Sequence, residues 1–136
     1  MNKQQQKEFK EKYVKTLKKR LFLPCTYELK KDLSFKMPFS LPSLEINKHI
    51  KVSGNSCFLK KGWIWDGASG ISIDTLNMFF PAIVHDVYCI ILENHTFFTR
   101  KEADIQYLRL LLENDMNTFR AMMQYRAIRA YMRIRY

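Results

Sequence analysis

Across residues 3–21 the apolar positions Phe9, Tyr13, Leu17 and Leu21 recur every fourth residue in a lysine-rich background. That spacing predicts an amphipathic helix with one narrow apolar stripe, ended by Pro24. From Tyr27 the period changes to two. Tyr27-Glu28-Leu29-Lys30 and Leu33-Ser34-Phe35-Lys36-Met37 alternate apolar with polar and predict strands, with Pro38 and Pro42 punctuating a loop behind them. Residues 46–52 and 57–65 predict two further strands about a turn at Ser53-Gly54-Asn55-Ser56. Trp63 and Trp65 flank Ile64 and so share one sheet face, where they are expected as core beneath helices, with a substrate wall as the alternative.

The last strand closes on Asp66-Gly67-Ala68-Ser69-Gly70, which has little side-chain bulk and lets the backbone approach a ligand or another segment closely. Beyond it the pattern is helical. Pro81 fits the first turn of a helix reaching about Leu92. Thr99-Arg100-Lys101-Glu102 has capping-box spacing and predicts a helix from Thr99 to about Glu113. Residues 114–117 make a break, and a last helix follows from Thr118. The expected fold class is α+β: a basic N-terminal helix over residues 1–21, then a single domain over 22–136 with a small antiparallel sheet and three C-terminal helices.

A chain of 136 residues, 47% hydrophobic and 14% aromatic, buries one core and predicts a packed globule. Its richest apolar stretch is interrupted by His85-Asp86, so no membrane-spanning helix is expected. The charged N-terminus lacks the apolar run of a signal peptide, so secretion is not expected and the cytoplasm is the default location, in a host cell if the gene is viral. Cys25, Cys57 and Cys89 are widely spaced and odd in number, which suggests neither a disulfide framework nor a cysteine zinc site. The net charge of +10 sits at the two ends, with eight Lys or Arg in residues 1–20 and five Arg in residues 117–136. Arg126, Arg129 and Arg133 share a helical face and could lie on an anionic surface, of lipid or of a virion component; the alternative is a solvated basic face beside an apolar stripe of Phe119, Met122, Met123 and Ile128. Sequence-specific nucleic-acid binding is not expected. His49 and His95 have no ligand-spaced partners, and the chain carries none of the common nucleotide-binding, zinc-protease or serine-hydrolase motifs.

The residues that most resemble chemistry are His85-Asp86 and, nineteen positions after His85, Asp104. The short connection makes their two helices antiparallel neighbours, so His85 and Asp104 can meet. If Asp104 accepts from one ring nitrogen, it fixes the tautomer and leaves the other to take a proton from water. Asp86 would then face the Asp66 loop, whose oxygens suit Ca2+ or Mg2+, with Gly67, Ala68 and Ser69 lining a place for an oxyanion. The competing reading makes the same residues a buried structural network with no turnover.

Gly62-Trp63-Ile64-Trp65-Asp66-Gly67-Ala68-Ser69-Gly70, then His85-Asp86, then Arg100 to Asp104, resemble the domain-of-unknown-function family 1353 of phages, prophages and bacteria. The resemblance runs roughly from Thr26 to Met132. Trp65 stands where the family has threonine, and the proline that follows the family's serine is missing here. The resemblance implies a phage-type origin, with the basic N-terminal helix as an addition, and no reaction. A looser similarity is to the phospholipase A2 enzymes. It implies His85 as the water-activating base, Asp104 as its orienter and Asp86 as a calcium ligand, although tyrosine here is Tyr88, three residues after the histidine where those enzymes have it at four. The leading expectation is a phage-type hydrolase of an ester or amide in a lipid or cell-wall component. The alternative is a non-enzymatic virion or host-interaction protein.

Overall fold

The structure, a computed structural model, describes residues 1–19, 25–66 and 75–135, with side chains as far as residue 130. Helix α1 spans Lys3–Tyr13, and strand β1 spans Val14–Lys18. Strands β2 (Thr26–Leu29), β3 (Leu33–Glu45), β4 (Ile50–Leu59) and β5 (Ile64–Asp66) follow. A short 3-10 turn at Leu76–Met78 leads into α2 (Phe79–Leu92), then α3 (Arg100–Glu113) and α4 (Thr118–Arg135). The fold is α+β, with an N-terminal helix, small antiparallel sheets and three C-terminal helices.

The N-terminal helix is shorter than its apolar stripe predicts. It stops at Tyr13, and the chain continues as β1, whose Val14 pairs with Leu29 and Lys15 with Glu28. Pairing with β2 decides the state of Val14 and Thr16, β-branched residues that a strand accommodates better than a helix. Leu17, assigned by periodicity to the helix stripe, is an exposed strand residue. Nor is this segment an appendage to a separate body. Phe9 is buried edge-on to Phe80 at 5.5 Å. Buried Gln6 donates to the carbonyl of Asn114 at 2.6 Å, at the far end of α3. The expected end of the helix at Leu21 and Pro24 lies outside the described residues.

Among the described residues two sheets form, ordered β1-β2-β5 and β3-β4, all antiparallel. The expected loop at Pro38 and Pro42 is instead the interior of β3. Both prolines face outward while Phe35, Met37 and Leu41 are buried, so alternation carries on through them. The register with β4 breaks on either side of Leu41, between Lys36 and Leu41 and again between Leu41 and Leu44, around residues that have no N–H to donate. The expected turn at Ser53-Gly54-Asn55-Ser56 is likewise mid-strand: Gly54 lies opposite Leu41 with φ of 60°, absorbing the irregularity. The real turn is made by Asn47, whose Oδ1 accepts from the backbone N–H groups of His49 at 2.8 Å and Ile50 at 2.9 Å.

Helix α2 is buried on nearly every side, including Ile83, Val84, Val87, Tyr88 and Ile91. It is the central element against which both the aromatic core and α3 pack. Trp63 and Trp65 are buried and stacked at 5.3 Å, and Tyr27 bridges from Trp65 to Phe79 at the start of α2. A second, smaller cluster of Met78, Tyr107, Leu111, Met116 and Ala121 joins α3 to α4.

Candidate functional site

Helix α3 begins where its sequence says it should. The Thr99 hydroxyl accepts from the Glu102 N–H at 3.1 Å, and the Glu102 carboxylate accepts from the Thr99 N–H at 3.2 Å, completing the capping box. This fixed start sets the phase of the helix, so that Ala103, Asp104, Tyr107 and Leu111 form its inner face. The other end is closed by Asp115 at φ of 60°, with the Met116 N–H bonded to the Leu111 carbonyl at 3.0 Å.

Across the α2–α3 contact, His85 Nε2 lies 2.7 Å from Asp104 Oδ1. A carboxylate only accepts, so Nε2 carries a hydrogen, and in the neutral ring it is Nδ1 that presents the lone pair. That lone pair faces Cys89 Sγ at 3.9 Å, one helical turn along α2. Tyr107 covers a flank of the imidazole, ring centre to ring centre 5.1 Å. The second oxygen of Asp104 accepts from Arg129 Nη1 of α4 at 2.9 Å. His85 is 6% exposed and Asp104 1%. One carboxylate thus binds one group on each neighbouring helix, and both of its oxygens are engaged.

Sequence reasoning missed two members of this set. Arg129 was expected on an outward basic face; it turns inward instead, because a buried carboxylate without a cationic partner would be costly. Cys89 carried a legible signal, the four-residue spacing from His85 that puts both on one face of α2. Its thiol is pushed up to about 12, first by burial and then by the charges of Asp86 and Asp104, so it is a protonated neighbour at neutral pH. Arg126 is exposed, while the side chain of Arg133 lies outside the described residues.

Asp86 is half-buried beside this cluster, near enough to Cys89 for its charge to act on the thiol. Asp66 is exposed at the end of β5, where the Thr26 hydroxyl donates to it at 3.3 Å. Gly67, Ala68 and Ser69, expected to line an oxyanion site, lie outside the described residues. Among the described residues, no three His, Cys, Asp or Glu side chains gather into a group that could hold a metal ion. No helix among the described residues is long and apolar enough to cross a membrane.

No protein-family model, no curated protein and no solved structure matches the chain.

Proposed function

We propose that the chain is a hydrolase in which His85 is the general base, acting on an ester or amide of a lipid or cell-wall component, in keeping with the phage-type resemblance of its motifs. One observation carries this reading: Asp104 occupies Nε2 of His85, leaving the basic Nδ1 with a weakly bonding thiol as its neighbour. In such a step Nδ1 takes a proton from water as the water oxygen attacks the carbonyl carbon. Asp104 stabilises the imidazolium that forms, and the same nitrogen returns the proton to the leaving group. Arg129 holds the Asp104 carboxylate in place, and the basic ends of the chain favour an anionic envelope surface.

A second reading is supported by burial. Asp104 ties α2 to α4 through His85 and Arg129, and His85 itself is only 6% exposed, the pattern of a structural pin joining three helices. His85→Ala and Asp104→Asn separate the two. If both fold with native-like melting yet lose release of fatty acid or cell-wall fragments, His85 is the base. If both melt far below the parent, or fold and retain full hydrolysis, the pin is the function of the pair.

A further inference from the structure

Beside Asp104, on the solvent side of Arg129, lies a cleft of about 440 Å³ lined by Lys101, Tyr125, Arg126, Arg129 and Ala130. We infer that this cleft between the first turn of α3 and the distal half of α4 is a binding site for a phosphate ester group. Three of its five described lining residues are cationic, and none of those five is acidic. Lys101 and Arg126 are exposed and extend from different helices, so their charges converge on the space between them. Arg129 gives Nη1 to Asp104, keeps a side chain 24% exposed and lines the cleft. A guanidinium anchored from behind loses less freedom on gripping a ligand than a loose one, and its planar fork matches the oxygens of a phosphate.

The volume suits one headgroup-sized ligand and not a duplex. The surroundings favour a phosphate ester carried by something apolar. Phe119, Met123, Arg126 and Ala130 follow one another at spacings of four, three and four along α4, hence on one face. Phe119 is 75% exposed and Met123 51%, so two bare apolar side chains precede the cation Arg126 on that face. Apolar groups beside cations on one helix face complement a lipid whose headgroup is anionic.

Arg129 lines the cleft and bonds Asp104, which in turn bonds His85, so two side chains link an occupant of the cleft to His85. That makes the phosphate ester a part of the substrate if the hydrolase reading holds; the site itself does not depend on that reading. His85→Ala keeps the two questions apart, because it removes the base and replaces none of the residues that line the cleft.

The test uses the full chain. Sedimentation with phosphatidylglycerol vesicles and calorimetric titration with glycerol 3-phosphate measure binding for the parent, Lys101→Ala, Arg126→Ala, His85→Ala and a Lys18→Ala/Lys19→Ala control. Each cleft variant is expected to bind about tenfold more weakly with unchanged melting, while His85→Ala and the control bind like the parent. Binding of vesicles alone identifies a lipid headgroup, and binding of glycerol 3-phosphate identifies a free ester; both support the site. Failure of the parent to bind either probe overturns it, as does an equal loss in the Lys18/Lys19 control, which would make the attraction a property of total charge.

Discussion

Arg129 donates to Oδ2 of Asp104 across 2.9 Å, although the two residues are twenty-five positions apart and lie on different helices. The acid is 1% exposed and the base 24%, so the pair closes the solvent side of a carboxylate that His85 closes from within. Arg129→Met keeps much of the side-chain volume and removes the charge. It should cost about 3 kcal/mol by leaving a buried carboxylate short of a partner, read as a fall in the denaturant midpoint with an unchanged slope. A loss below about 0.5 kcal/mol would show that solvent replaces the guanidinium and that the pair does not pin α4.

Asp104→Asn tests the orienting role more finely, because the amide can offer its N–H to Nε2 and so favour the wrong tautomer of His85. Under the hydrolase reading turnover should fall about a hundredfold or more, with KM little changed. Unchanged turnover would show that the tautomer does not matter to the protein's activity.

A buried thiol, Cys57, and a half-buried one, Cys89, give the protein an alkaline liability. Cys57 and Cys89 are each raised from 9.0 to about 12, in both cases chiefly because burial disfavours the thiolate. Unfolded thiols ionise near 9.0 while the folded ones stay protonated, so unfolding gains favour as pH rises. Their contribution to stability is complete below that value and drains as pH climbs toward about 12. Denaturant titrations at about pH 8 and about pH 10.5 should therefore show a loss for the parent that is shallower in a Cys57→Ala/Cys89→Ala variant. An equal loss in both proteins would assign the alkaline transition to other groups.

Phe9 should behave as a core residue. Phe9→Ala is expected to cost about 3 kcal/mol, since it empties a position packed on Tyr13 and Phe80. Deleting residues 1–18 removes β1 as well, and should leave a chain without a cooperative melting transition by circular dichroism. A truncated chain that melted like the parent would restore the N-terminal segment to the status of an appendage.

Thr99→Ala removes the cap that phases α3. About 1 kcal/mol of stability should be lost, and Thr99→Ser should recover most of it. A null result in both would mean that tertiary packing alone sets where α3 begins.

Much of this architecture is legible in local chemistry. Thr99 and Glu102 announce the start of α3 because a capping box is satisfied within one turn, needing nothing from the rest of the chain. The break after Glu113 is equally local, and the alternation from Leu33 to Met37 survives in the ladder. The same local rules mislead at Val14 to Leu17, at Pro38 and Pro42, and at Gly54. There, whether a segment is a helix, loop, turn or strand depends on a partner strand that lies elsewhere in the chain.

For the candidate site, the sequence by itself determined that His85 and Asp104 stand on adjacent antiparallel helices, because spacing, caps and a short connection are properties of neighbouring residues. Only the tertiary structure decided which ring nitrogen meets the carboxylate, that Cys89 lies at the other, and that Arg129 turns inward from an apparently outward basic face. Those choices follow from the cost of burying a charge, and burial is fixed by how α2, α3 and α4 pack, which no local pattern in the chain contains.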